Sequence, residues 1–292
     1  MQSIFGNINY KENEILSNHT TFRIGGPAKY FFTPSTADEI VEIIRICKAN
    51  GIEHMIMGNG SNILFSDEGF NGAIIQIYGG CNDIQVYEDG IYAKAGALLS
   101  KIAASARDNS MTGMEFAAGI PGTLGGAVVM NAGAYGGEMK DVVEYVDLLT
   151  PEGIVNRVFC CDMKFGYRSS IVSADTIVLG AKLKLDKGDQ KQIQEKMDEL
   201  KEARVSKQPL ELPSAGSTFK RPEGYFAAKL IDDSGLRGYR SGGAMVSEKH
   251  CGFVVNYDKA SCKDVLDVIE HVKTVVWEKY GVRLEPEVKI IL

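Results

Sequence analysis

Several absences narrow what this chain is. Its 292 residues contain no run of about 18 apolar residues, so no membrane-spanning helix is expected. The first residues, Met1-Gln-Ser-Ile-Phe-Gly-Asn-Ile-Asn-Tyr-Lys-Glu12, lack the basic-then-apolar pattern of a secretory leader, and a cytoplasmic location is expected. Six cysteines, at 47, 81, 160, 161, 251 and 262, form no CxxC pair and sit mostly in apolar segments. They read as reduced thiols, not as a disulfide framework. The four histidines, His19, His54, His250 and His271, show no HExxH or similar spacing, so no metal site is expected. Basic charge is not in excess: 32 Lys and Arg stand against 38 Asp and Glu, a net charge of −6. No global field therefore recruits nucleic acid or an anionic membrane, and an anionic substrate would need local basic residues. There is no internal repeat and no low-complexity segment. The composition, 45% hydrophobic and 24% charged, is that of an ordinary soluble chain long enough for two compact domains.

What is present in quantity is glycine, concentrated in Phe116-Ala-Ala-Gly-Ile-Pro-Gly-Thr-Leu-Gly-Gly-Ala-Val-Val-Met-Asn-Ala-Gly-Ala-Tyr-Gly-Gly137. Seven of these 22 residues are Gly and none is charged. A packed element would not carry so many glycines, because each costs conformational entropy. A surface linker would not carry Phe116, Ile120, Leu124, Val128, Val129 and Met130. The stretch reads as backbone passing close to something bulky, with N–H groups free to bind an anion such as a diphosphate. A tight buried turn is the alternative. A second such turn, Gly58-Asn-Gly-Ser-Asn-Ile63, begins like GxGxxG but ends in Ile, and no Lys-Ser/Thr follows Gly119–Gly126. Both standard nucleotide fingerprints therefore fail. Two glycine-rich turns outside those fingerprints point to a nucleotide cofactor in an uncommon fold.

Periodicity predicts a helix over 36–50, with Thr36 and Glu39 as a capping box, Ile40, Ile43, Ile44 and Cys47 on one face, and Gly51 after the end. His54–Met57 reads as a short buried strand. Strands are expected at 73–78, 84–88, 91–95, 142–149, 154–159, 176–185 and 251–256, and helices at 98–108, 188–207, 225–235 and 261–280. The charged helix 188–207 turns Ile193, Met197 and Leu200 to one side and is assigned no chemistry. In the last helix Ser261 and Asp264 form the cap, and Val265, Ile269, Val272 and Val276 the apolar stripe. Gln208–Ser217, with two prolines and two serines, reads as a boundary. Residues 282–292 are expected to close the chain as a strand. Short strands with peripheral helices and weak βαβ alternation indicate an α+β protein and disfavour a Rossmann domain.

A third turn, His19-Thr-Thr-Phe-Arg-Ile-Gly-Gly-Pro27, makes a family resemblance specific. It is followed in order by the Gly58–Leu64 loop, the 116–137 stretch, Phe165-Gly-Tyr-Arg-Ser-Ser170, Gly216-Ser-Thr-Phe-Lys-Arg-Pro222, Gly235-Leu-Arg-Gly238, Val246-Ser-Glu-Lys-His250 and Leu284-Glu-Pro-Glu-Val288. Across nearly its whole length the chain resembles the bacterial UDP-N-acetylenolpyruvoylglucosamine reductases, the MurB proteins. The resemblance implies non-covalently bound FAD in the two-subdomain fold of the vanillyl-alcohol oxidase (PCMH-type) class, with a C-terminal α/β substrate-binding domain. It places the FAD region at 1–208, the substrate domain at 209–281 and a final strand at 282–292 returning to the active site. The implied FAD contacts are Thr21, Arg23, Gly25, Gly58, Asn59, Gly60, Ser61, Asn62, Pro121, Gly122, Thr123, Gly125, Gly126, Asn131 and Gly133.

By the same resemblance, NADPH reduces FAD and leaves, and the reduced flavin then delivers hydride through N5 to the vinyl carbon of UDP-N-acetylglucosamine enolpyruvate. The product is UDP-N-acetylmuramate, a peptidoglycan precursor. Charge spreading onto a carboxylate requires a cation, a proton donor beside the adjacent carbon and a further polar group. Arg168, Ser217 and Glu287 match the family residues in these roles. Glu285, two residues from Glu287, is expected on the opposite strand face, so only one of the pair reaches the site, and Glu287 directly precedes Val-Lys-Ile-Ile as in the family. The family motif then usually ends in Gly, whereas this chain ends in Leu292. Ser217 follows Arg168 by 49 positions, too few for the tyrosine loop of part of the family, so the chain resembles the type II subgroup. Tyr167, Lys220, Arg221, Lys249 and His250 are then candidates for the substrate, the basic ones for its diphosphate, with Tyr225 or Tyr239 for stacking. A small-molecule substrate and a monomer are expected, with no nucleic-acid or membrane partner. An FAD-dependent alcohol oxidase of the same fold and a nucleotide-sugar binding protein with a vestigial flavin site remain as alternatives.

Overall fold

The computed structural model describes residues 4–173 and 176–292. The chain divides into two compact units, each assembled from separated segments. One comprises Met1–Lys11, Tyr30–Asn59 and Gly72–Arg204; the other comprises Glu12–Lys29, Gly60–Asn71 and Val205–Leu292. No helix among the described residues is long and apolar enough to cross a membrane.

In the first unit, the helix Ala37–Ala49 starts where Thr36 Oγ1 accepts the Glu39 N–H at 3.2 Å. The Glu39 carboxylate returns to the N–H of Ser35 at 2.6 Å instead of that of Thr36, so the expected capping box is shifted by one residue. Ile40, Ile43, Ile46 and Cys47 are buried; Ile44, expected on that face, is half-buried, and Ile46 takes its place. Part of this face packs with Phe5, Phe32, Ala73 and Ile75. Phe5, Tyr10, Tyr30 and Phe32 stack edge-on around that core, Phe5 and Phe32 with ring centroids 4.8 Å apart. His54–Met57 pairs in parallel with Phe70–Gln76, and only Met57 of the shorter strand is fully buried.

A five-stranded antiparallel sheet follows, in the order Val155–Phe159, Val143–Leu149, Ile177–Lys184, Gly90–Lys94, Ile84–Tyr87. Alternation decides its two faces. Ile91, Ala93, Val146, Leu148, Ala181 and Leu183 enter a core shared with the helices Leu99–Asp108 and Leu124–Val129. On the opposite face, the Asp147 carboxylate accepts from Tyr92 Oη at 3.0 Å and from Arg157 Nε and Nη2 at 2.9 and 3.2 Å. Burial, reinforced by Asp147, pushes the Tyr92 hydroxyl well above the usual tyrosine range. The helix Gln190–Lys207 buries Ile193 fully and Met197 and Leu200 partly, as its spacing predicted.

The second unit is built on the helix Cys262–Tyr280. Ser261 and Asp264 form the full capping box, and Gly281 ends the helix at φ +65°. The Asp67 carboxylate adds a further cap, accepting the Cys262 N–H at 2.8 and 3.0 Å. Val265, Val268, Ile269, Val272 and Val276 share a core with Ala244, Val246 and Val254. The last three belong to the antiparallel sheet Arg240–Ser241, Ala244–Val246, Val254–Asn256. The closing strand is shorter than the expected 282–292. Only Lys289–Ile291 pairs, in parallel with Ile63–Phe65, and Pro286 makes a single isolated bridge to Phe219.

The Asp264 carboxyl is held below the usual range by the N–H of Ser261, with that of Gly243 adding to it. A depressed folded pKa contributes stability above the unfolded value of about 3.9 and loses it as pH falls through the folded value. Asp264→Asn should therefore cost about 1 kcal/mol in urea unfolding at pH 7, and the gap to wild type should narrow as the pH is taken below about 4.

Candidate active site

Two glycine-rich loops meet within the first unit. Asn59 Nδ2 donates to Pro121 O at 2.8 Å, and Gln76 Nε2 donates to Gly58 O at 3.2 Å. A Cβ on Gly58 would lie 2.4 Å from Thr123 Oγ1, so no larger residue fits there. The Pro121–Gly126 loop is anchored by Leu99 N–H to Gly122 O at 3.0 Å, Leu124 N–H to Ala97 O at 2.8 Å and Gly125 N–H to Ala95 O at 2.8 Å. Among the described residues, the N–H groups of Asn59, Gly122, Thr123 and Gly126 donate to no other group. These are anchored loops with spare donors and no side chain in the way, which suits a diphosphate.

Gly60–Asn62 belongs to the second unit and is anchored there. A Cβ on Gly60, at φ +62°, would meet His19 O at 2.1 Å. Thr21 N–H donates to Gly60 O at 3.2 Å, and Thr21 Oγ1 donates to Ser214 O at 2.7 Å. Arg23 sits at φ +56° and Gly25 at φ +137° in the same turn. Asn62 Nδ2 donates to Glu287 O at 3.1 Å. Ser61 and its two neighbours keep their backbone N–H groups unpaired among the described residues.

Ser217 and Glu287 come together as backbone. Glu287 N–H donates to Thr218 O at 2.8 Å, and Lys220 N–H donates to Glu285 O at 2.8 Å, across the Phe219–Pro286 bridge. Thr218 Oγ1 accepts the Val254 N–H at 2.9 Å and fixes the segment from its other side. Glu285 and Glu287, expected on opposite faces, share one face of this ladder, because residues two apart along a strand point the same way, yet they differ in surroundings. Glu285 is exposed and pairs with Lys220 Nζ at 3.2 Å, whereas Glu287 is half-buried. Arg168 lies in the first unit. It is the second central residue of a two-residue turn closed by Gly166 N–H to Ser169 O at 3.1 Å and Ser169 N–H to Gly166 O at 3.3 Å. Its φ is +54°, in the left-handed region that such a position usually gives to Gly or Asn. Its guanidinium lies 5.1 Å from the Tyr167 ring centroid.

The remaining candidates have partners of their own. Arg221 stacks on Phe226 at 4.0 Å, Lys249 lies 3.8 Å from Glu211, and Tyr239 stacks on His271 at 4.0 Å. His250 Nδ1 accepts the Gly252 N–H at 3.2 Å, and burial lowers its pKa below the usual histidine value. That shift favours the neutral ring. Gly133 is packed by the backbone of Gly137 and Glu138, and Asn131 is fully buried. Pattern reading missed Arg204, on the helix given no chemistry. Its Nη1 donates to Gly119 O, and burial depresses its pKa. Nothing local in a charged helix singles out the one arginine that reaches a glycine-rich loop.

Two family models match the chain: "FAD binding domain" over residues 28–158 and "UDP-N-acetylenolpyruvoylglucosamine reductase, C-terminal domain" over 208–291. They define an α+β FAD-binding oxidoreductase with a separate C-terminal domain, as expected. The curated reductase of that name from Clostridioides difficile is 48% identical over 96% of this chain and 93% of its own length. The one from Lachnoclostridium phytofermentans is 51% identical over 96% and 92%. The crystal structure of UDP-N-acetylenolpyruvylglucosamine reductase (MurB) from Thermus caldophilus superposes with a TM-score of 0.84 at 35% identity, covering 98% of this chain and 100% of that one. The chain belongs to the UDP-N-acetylenolpyruvoylglucosamine reductase family.

Gly58→Ala should weaken FAD binding by at least about tenfold, measured by fluorescence titration of the apoprotein. Adding Thr123→Ala removes the hydroxyl that the new methyl meets, and should recover part of the lost apoprotein melting temperature.

Proposed function

We propose that this chain reduces the enolpyruvyl ether of UDP-N-acetylglucosamine to UDP-N-acetylmuramate, the reductive step of peptidoglycan precursor synthesis, as a cytoplasmic monomer using NADPH. The observation that carries the reading is the ladder joining Thr218–Lys220 to Glu285–Glu287. It brings the backbone of Thr218, the residue after Ser217, beside that of Glu287, in a chain whose relatives are named for this substrate.

FAD, when bound, would supply the hydride chemistry that links NADPH to the vinyl carbon of the substrate, with N5 as the transferring atom. The spare N–H groups of Asn59, Gly122, Thr123 and Gly126 would hold the FAD diphosphate, and Thr21, Arg23, Gly25 and Gly60–Asn62 are the further residues that would hold FAD. Residues 1–208 hold the flavin, 209–281 cover the substrate and 282–292 bring Glu287 to the site. Arg168 holds the substrate carboxylate in two-point contact, which offsets the charge that hydride addition spreads onto it. The Ser217 hydroxyl gives its proton to the adjacent carbon, whose enolate character makes a weak acid sufficient, and recovers one from solvent. Glu287 fixes the geometry of that transfer through its half-buried carboxylate. Lys220, Arg221 and Lys249 are the cations available for the UDP diphosphate.

Anaerobic absorbance titration tests the whole reading. NADPH should bleach the visible flavin band, and the enolpyruvyl sugar should restore it. Bleaching without recovery, together with rapid reoxidation by oxygen, would instead indicate an alcohol oxidase. Ser217→Ala should slow the restoring half-reaction by about 10²- to 10⁴-fold while bleaching by NADPH proceeds at the wild-type rate. Equal rates of restoration would remove Ser217 as proton donor.

A further inference from the structure

Asn131 is fully buried, and both ends of its side-chain amide are hydrogen-bonded. Its Nδ2 donates to Glu138 Oε2 at 2.6 Å and to Gly166 O at 3.1 Å, and its Oδ1 accepts the Lys140 N–H at 2.9 Å. An amide has two N–H donors, and both are used. No donor is left to offer a flavin, although the residue lies in the glycine-rich stretch. Its backbone, at φ +41°, is itself in the left-handed region.

Gly166 is the first residue of the turn that carries Arg168. Past the other end of the turn, Ser170 Oγ donates to Val129 O at 2.9 Å. The turn is thus pinned at both ends to residues 129–131 of the glycine-rich stretch. A turn with arginine at φ +54° needs such pins, because the conformation is disfavoured for any residue with a Cβ.

We propose that Asn131 is a positioning residue, acting through Gly166 to set where the Arg168 guanidinium stands, and that Ser170 is its weaker partner. Through them the glycine-rich stretch sets the arginine turn. The proposal rests on the reading of Arg168 as the group that holds the substrate carboxylate.

The test is a double-mutant cycle on the FAD-loaded enzyme, read separately in the two half-reactions. Asn131→Ala should raise the concentration of enolpyruvyl sugar needed for half-maximal flavin reoxidation, by on the order of 10²-fold, with NADPH bleaching unchanged. In an Arg168→Ala background the same substitution should have no further effect, since a residue acting only through another adds nothing once that residue is gone. Effects that multiply in the double variant would overturn the proposal while leaving the role of Arg168 standing. An Arg168→Ala enzyme that reoxidises normally would remove the underlying reading instead. If Asn131→Ala fails to fold or to hold FAD, Ser170→Ala decides. It should shift the sugar dependence in the same direction by a smaller factor, and that shift should vanish in the Arg168→Ala background. Persistence of the shift there would overturn the proposal, and so would the absence of any shift in wild type. Melting temperature of each loaded variant, measured alongside, separates loss of fold from loss of position.

Discussion

Close backbone approach is the constraint on which this molecule depends. At Gly26 a Cβ would stand 2.1 Å from Asp67 O, at Gly60 2.1 Å from His19 O, and at Gly58 2.4 Å from Thr123 Oγ1. At Gly58 and Gly60 the contact brings a loop carrying spare N–H groups against a segment that holds it in place, and at Gly26 the N–H itself donates to Ser66 O at 2.9 Å. A methyl group at any of the three would push the segments apart and lose the hydrogen bonds that anchor them. The glycines therefore do two things at once: they let the loops dock, and they leave no side chain over the donors.

Polar side chains then fasten what the glycines allow. Asn59 reaches Pro121, Asn62 reaches Glu287, Thr21 reaches Ser214 and Asn256 reaches Phe22, all by side chain to backbone carbonyl. Asp67 caps the helix at Cys262 from nearly two hundred residues away in sequence. Such bonds use groups that would be costly to bury unpaired, and they fix loops that have no ladder of their own. The result suits catalysis by a bound cofactor, in which the protein supplies placement and charge.

Much of this was legible from residue pattern. Ser261 and Asp264 announce the start of the last helix, and Thr36 that of the first long one, because capping is a contact between residues three apart. Strand centres at 91–94, 143–149 and 177–184 follow from runs of β-branched and apolar residues. Other features were not legible. Ile46 replaces Ile44 in the core because the sheet beneath the helix selects the face. Residues 282–288 form no continuous strand, because they meet their partner segment only at the Phe219–Pro286 bridge, and that segment lies far away in sequence. The burial that lowers the His250 pKa and the reach of Arg204 to Gly119 depend on what surrounds them.

The sequence by itself determined the helix ends, the clustering of glycine and the chemistry available at Arg168, Ser217 and Glu287, because these depend on local sterics and side-chain type. Only the tertiary structure decided that Asn131 spends its amide on Gly166 and Glu138, that Glu285 is exposed on an ion pair while Glu287 is half-buried, and that Arg168 sits in a strained turn. Those outcomes rest on contacts between segments far apart in the chain, and hydrogen-bond partners across such distances exist only once the loops have docked.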